Sequence, residues 1–254
     1  MQTEDMEVHH HPQVEKKGFK EYFLEFLMIF LAVTMGFIAE NIRESIKDKK
    51  QLHEYIESMV NDLQSDTALY HSAVEYNLSK CRIIDTIIQS LSNNDNSSNN
   101  VQLYLLVRQL TMGTFVISTT PKTFDQMKSS GGLRLIAKQS TNDSIGSYYQ
   151  WTQRFEYWSD FQKQRLNEVI SINDRVFDSK VLFSILKKME SDSGPFMPEN
   201  NPKLMSHDPI SINAVIMRYQ YYYGFLQLMN ERSMSASAQA ARLIALLKNE
   251  YHLK

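Results

Sequence analysis

Cysteine occurs once in the 254 residues, at Cys81, so the chain cannot close an internal disulfide, and cysteine usage leaves the redox compartment open. Glycine (8) and proline (6) are scarce for this length and cluster at breaks, which disfavours a sheet-rich fold and favours long helices. No charge excess exists either. The 27 basic and 29 acidic side chains leave a net charge of −2, giving no electrostatic reason to expect nucleic-acid binding.

The common catalytic signatures are missing as well. His53, His71, His207 and His252 are scattered, and none falls in an HExxH or ExxH pairing. There is no Gly-x-Ser-x-Gly and no Cys–His signature. Asp62/Asp66 and Glu54/Glu57 stand at helical spacing on what reads as a solvated face. Ser129-Ser130-Gly131-Gly132 lacks the preceding strand and the Gly-Lys-Ser/Thr that a phosphate loop uses. The expectation is a protein that is not an enzyme, with no catalytic, cofactor-binding or metal residues to assign.

What the sequence does have is one long apolar run. From Tyr22 to Ala39 the only charged residue is Glu25, and these positions make a helix of roughly 27 Å, close to the ~30 Å hydrocarbon core of a bilayer. Lys16, Lys17 and Lys20 precede it and Arg43, Lys47, Lys49 and Lys50 follow, all with stems long enough to reach headgroups. The end of the run, with Glu40, Asn41 and Arg43 after it, does not read as a cleavage site. We therefore expect a retained transmembrane anchor over residues 19–44. Ala32 and Gly36 form a small-xxx-small pair, a hint of self-association. Glu25 reads as reaching the interface beside Lys17 or Lys20. Basic residues balance across the two flanks, so sidedness is weakly set.

Residues 1–18 form a polar tail carrying His9, His10 and His11, read as a disordered segment in which three adjacent histidines make at best a loose metal site. Residues 45–254 are expected to form one helical domain. Ser45–Leu91 contains no Gly or Pro and places Leu52, Tyr55 or Ile56, Met59, Leu63, Tyr70, Ala73 or Val74, Leu78, Cys81, Ile84, Ile88 and Leu91 on one stripe. Cys81 lies on that stripe and reads as a core residue. Residues 92–100 are a polar linker, followed by a short helix over Val101–Met112 and a β-branched run at Phe115–Ser118.

Residues 120–138 read as an elbow of two short helices. Thr120 would be the N-cap, Lys122–Ser130 the first helix, and Gly131-Gly132 its left-handed stop. A second long helical stretch covers Asn142–Ser191, with a kink or restart at Asp174–Ser179. Its stripe of Tyr148, Trp151, Phe155, Trp158, Val169, Ile172 and Val176 is broken by Gln162 and Arg165. A Pro-rich loop over 191–208 leads to a last helix, Pro209–Tyr251, striped by Ile212, Ile216 (or Val215), Tyr219, Tyr222 or Tyr223, Leu226, Met229, Ser233, Ala236, Ala240, Leu243 and Leu247. The aromatic concentrations read as core layers, with Tyr157, Phe161 and Tyr221 off the stripe and free to face a partner.

EFLMIFLAVTMGFIAENIRE (Glu25–Glu44), preceded by HHHP and Lys-Lys, resembles the anchor of a family of uncharacterised single-span bacterial envelope proteins. The resemblance resumes in YIESMVNDLQSD (Tyr55–Asp66), in TFDQMKSSGGLRLI (Thr123–Ile136) and in Ser147–Tyr149, so it covers most of the first 150 residues. It implies an architecture and an envelope location and brings no activity with it. The combined expectation is a mainly α protein, with one N-terminal transmembrane helix continuing into an elongated antiparallel helical bundle. It would act as a membrane-anchored interaction or scaffold protein. The alternative is a ligand-sensing ectodomain that signals through a partner protein. Expected partners are the lipid bilayer and either another protein or a second copy, without nucleic acid. The bundle would lie in the periplasm of a bacterial inner-membrane, single-pass protein.

Overall fold

The structure is a computed structural model and describes residues 18–93, 100–190 and 201–253. The histidine cluster of the N-terminal tail, most of the 92–100 linker and the first part of the 191–208 loop lie outside the described residues. Every regular element among the described residues is helical: α1 (Phe19–Ser92), α2 (Asn100–Leu110), α3 (Lys122–Ser130), α4 (Gln139–Thr152), α5 (Arg154–Ile172), α6 (Ser179–Glu190) and α7 (Pro209–Tyr251). Two 3-10 turns, Gly132–Leu135 and Asn173–Arg175, complete the set. The chain divides into two compact units, Met1–Gln51 and Leu52–Lys254.

The first unit is helical from Phe19. Its N-terminus is closed by Glu21, whose carboxylate accepts the Gly18 backbone N–H at 3.0 Å, satisfying a donor that no helical carbonyl reaches. Along the apolar run, Phe26, Met28, Phe30 and Phe37 are exposed. Thr34 returns its hydroxyl to the Phe30 carbonyl at 2.8 Å, so this one side-chain donor needs no water. This helix is long and apolar enough to cross a membrane by length and composition, and none of its eighteen most apolar consecutive residues is buried. Signal sequences pass the same test of length and composition, as do core helices.

In the second unit the three- and four-residue spacing of apolar side chains on α1 decides which face is covered. Ile56, Met59 and Leu63 pack with Ile145, Tyr148, Leu243 and Leu247. Tyr70 and Ala73 pack with Phe155, Met229 and Ala236, and Ile84, Ile87 and Leu91 with Tyr104, Leu166, Tyr219 and Leu226. Each such side chain contributes about 1.5–3 kcal/mol on full burial, before the entropy of ordering it is charged. Cys81 is buried, as its place on the stripe predicts, and burial raises its thiol to about 11, so it stays protonated. Leu78, assigned to the core from sequence, is exposed; the buried position at that turn is Asn77, which accepts a hydrogen bond from buried Gln162.

The segment after α2 returns along α1 in reverse order. Lys80 donates to the carbonyls of Gln109 and Leu110, Tyr76 to that of Gly113, and Tyr55 meets Ser130. The pairs between α7 and the stretch from α4 to the turn after α5 also run in opposite order, from Tyr219 with Asn173, through Arg232 over Trp158, to Glu250 with Thr141. The bounds of α7 coincide with the sequence reading, and its start carries the stronger signal. Asp208 caps the Ser211 N–H at 2.9 Å with Pro209 just behind it, and His252 takes the left-handed conformation at the other end. Asn142–Ser191, expected as one helical stretch, is divided: α4 gives way to α5 at Gln153, and the expected restart falls at Ser179.

Candidate functional site

One face of α1 carries Ser58, Asp62, Asp66 and Tyr70 at successive four-residue steps, so the four side chains form a polar row along the helix. Opposite this row lie the elbow and α4. Asp62 accepts both the backbone N–H (3.0 Å) and the hydroxyl (2.6 Å) of Thr123, and Ser58 shares a 2.9 Å hydrogen bond with the same hydroxyl. Asp66 is fully buried; its Oδ1 accepts the Thr120 N–H at 2.8 Å and its Oδ2 the Tyr148 hydroxyl at 2.8 Å. Tyr148 in turn meets the Tyr70 hydroxyl at 3.2 Å.

This geometry corrects two sequence expectations. Asp62 and Asp66 do not sit on a solvated face: Asp66 is buried and Asp62 is half-buried against the elbow. Nor is Thr120 the N-cap of α3. The cap position is Pro121, which has no hydroxyl, and the carboxylate of Asp62 on another helix takes over the orphan donor. Burial raises the Asp66 carboxyl above its ordinary range, while the donors from Tyr148 and Thr120 pull it down. Burial also raises Tyr70 and Tyr148, which holds their hydroxyls protonated. Asp66 takes donors from two other segments of the chain, so this row positions the elbow and α4 against α1.

The elbow itself follows the sequence reading closely. α3 ends at Ser130, and Gly131 sits at φ +72°, the left-handed conformation that costs a side chain about 1–2 kcal/mol. Gly132 is buried against Tyr55; a Cβ there would stand 2.9 Å from the Tyr55 ring. That ring makes Gly132 a packing contact, while Ser129, Ser130 and Gly131 stay exposed. Ile136 is buried and Leu133 packs beside it, as the turn geometry predicts.

The structure also gathers two of the histidines that the sequence left scattered. His53 and His252 line one open cleft of about 640 Å³ with Glu57 and Lys248, and His53 Nε2 lies 3.4 Å from Glu57. His71 and His207 are exposed elsewhere. Among the described residues no group of three or more His, Cys, Asp or Glu is placed to hold a metal ion. On α1 itself, buried Lys80 points its amine at the last carbonyls of α2, and burial lowers it to about 8.

Of the off-stripe aromatics, Tyr157 and Tyr221 are exposed and Phe161 is half-buried, with the Tyr157 and Phe161 rings 4.7 Å apart. Tyr148, Tyr149, Phe155, Tyr219 and Tyr222 are buried core residues. No family model matches the chain, and neither a curated protein nor a solved structure matches it.

Proposed function

We propose that this chain is a non-catalytic, membrane-anchored interaction or scaffold protein of the bacterial envelope, of the kind its anchor and SSGGLRLI segments resemble. In this reading the N-terminal helix crosses the inner membrane once. Residues from 45 onward form an antiparallel helical bundle on the periplasmic side, where they meet another protein or a second copy. The observation that carries the reading is the apolar run of α1, which has no covering protein surface. Leaving that many apolar side chains in water would cost tens of kcal/mol at about 25 cal/mol per Å², and a bilayer removes the cost.

Two further observations support an interaction role. The polar groups of the row from Ser58 to Tyr70 are spent on internal bonds, and Tyr157 and Tyr221 present large rings to solvent, a feature enriched where proteins meet. The test is chemical crosslinking and affinity purification of the full-length protein from membranes. A stoichiometric partner that survives detergent exchange supports the reading. Recovery of the chain from the soluble fraction, without the N-terminal helix, would refute it. A reporter fused after Lys254 tests the side: activity on the cytoplasmic face would reverse the proposed orientation.

A further inference from the structure

Between α2 and α3 the chain does something unlike the rest of the molecule. Gly113 is held by the Tyr76 hydroxyl on its carbonyl (3.0 Å), and Thr120 is held by Asp66 on its N–H. Those two anchors stand ten residues apart on α1, and the chain from 113 to 120 between them is not helical. The side chains between them alternate. Phe115 packs on the Tyr76 ring with centroids 5.7 Å apart and Ile117 is buried, whereas Val116 and Ser118 are exposed. That two-residue alternation is the pattern of a β-strand with one face covered.

A strand has a neighbour, and this one lacks it: among the described residues no hydrogen bond joins the backbone of residues 114–119 to any other group. Backbone donors and acceptors left in that state make a template for another extended chain. Beside the segment runs a groove of about 480 Å³, with Val116, Ser118 and Thr119 on one wall and Glu156 and Ser159 of α5 on the other. Ser159 lines this groove with its residue 94% buried, and its hydroxyl has no hydrogen-bond partner among the described residues. The charges are unbalanced as well. Lys163 is paired with Asp160 at 3.0 Å, whereas exposed Glu156 has no cation opposite it among the described residues.

We propose that residues 114–119 and this groove receive an extended segment of a partner protein, added as a strand, with a Lys or Arg of that segment set over Glu156. The proposal rests on the interaction reading above and supplies its docking site. Backbone pairing would give affinity, and Glu156 would select a basic side chain.

The test uses the full-length protein in detergent and a fluorescein-labelled peptide of about nine residues, VTVTKTVTV, read by fluorescence anisotropy. Saturable binding is expected. Because a paired strand turns alternate N–H groups to its neighbour, N-methylating one alternate set should weaken binding at least about tenfold, while methylating the other set leaves it unchanged. Glu156→Lys should weaken the Lys peptide about tenfold and favour a Glu-centred peptide. Val116→Pro removes an edge donor at an exposed position and should lower affinity with the helical spectrum unchanged. No saturable binding, equal effects of the two methylated sets, or indifference to Glu156→Lys would overturn the proposal. A dimer that Val116→Pro dissociates would reassign the edge to a second copy. If a partner crosslinked in membranes still binds the Val116→Pro, Glu156→Lys double variant, the interaction reading stands and this site fails. If the peptide binds as described and membranes yield no partner, the site stands and the interaction reading fails.

Discussion

Tyr148 donates its hydroxyl proton to Asp66 Oδ2 at 2.8 Å, joining two residues 82 positions apart and fixing α4 to the polar row of α1. The other oxygen of the same carboxylate holds the Thr120 N–H, so one buried acid ties three segments together. Its titration should therefore be visible in stability.

Burial places the Asp66 carboxyl above its unfolded value, so between the two values the folded state holds a proton that the unfolded state has lost. Stability contributed by this group is then present at low pH and declines as pH rises through that window. The Tyr148 hydroxyl opposes the shift by bonding the ionised form. Tyr148→Phe should raise the Asp66 carboxyl further and destabilise by about 1–3 kcal/mol at about pH 8, with a smaller loss at about pH 4, toward the side on which the carboxyl takes up its proton. Urea melts at the two pH values measure this. An equal loss at both would mean that the bond acts through packing and not through charge.

Lys80 offers the opposite slope. Its amine is lowered to about 8 by burial, below the ordinary 10.5, so between those values the unfolded state binds the extra proton and stability from this group rises with pH. Lys80→Met keeps the stem and removes the amine from the Gln109 and Leu110 carbonyls. The stability difference between wild type and this variant should grow in favour of wild type from about pH 8 to about pH 10. A difference that stays flat across that range would show that the amine ionises as it does in water.

These two groups mark where sequence reasoning ended. The start of α7 at Asp208-Pro209 and the left-handed stop of α3 at Gly131 were legible because capping, proline and glycine signals act within a few residues of the ends they set. Asp66 was misjudged because its donors, Thr120 and Tyr148, lie 54 and 82 positions away, beyond any local pattern. A signal was there: the apolar stripe runs from Leu63 to Tyr70 with a turn missing, and Asp66 occupies the vacant place. The same reasoning covers Gln162, which interrupts the α5 stripe yet is buried against Asn77. A polar residue on an apolar stripe reads as an interruption until its partner is known.

The anchor reading predicts a fractionation result. Phe30→Arg with Leu31→Arg adds roughly 5–7 kcal/mol to insertion of the apolar run. The double variant should leave the membrane fraction and appear in the supernatant. Retention through an alkaline wash would end the single-span reading.

The last prediction concerns Gly131 and Gly132, whose two neighbouring positions need glycine for different reasons. Gly131 needs the left-handed region, with open space where a Cβ would go, so Gly131→Val should be costly through backbone strain, and Gly131→Asn should recover most of the loss. Gly132 has no such backbone demand. A side chain there meets the Tyr55 ring and the Met127 backbone, so Gly132→Val should be costly through overpacking, and shrinking the ring with Tyr55→Leu should restore part of it. Each valine should lower the melting temperature by several degrees, since about 1–2 kcal/mol corresponds to about 2–8 °C in a domain of this size. The two rescues should not cross over: Tyr55→Leu should do nothing for Gly131→Val. Crossed rescue would mean that the glycines serve one shared constraint. Unchanged melting in both valine variants, with loss of a partner captured by the wild type, would make the elbow a recognition element instead of a structural joint.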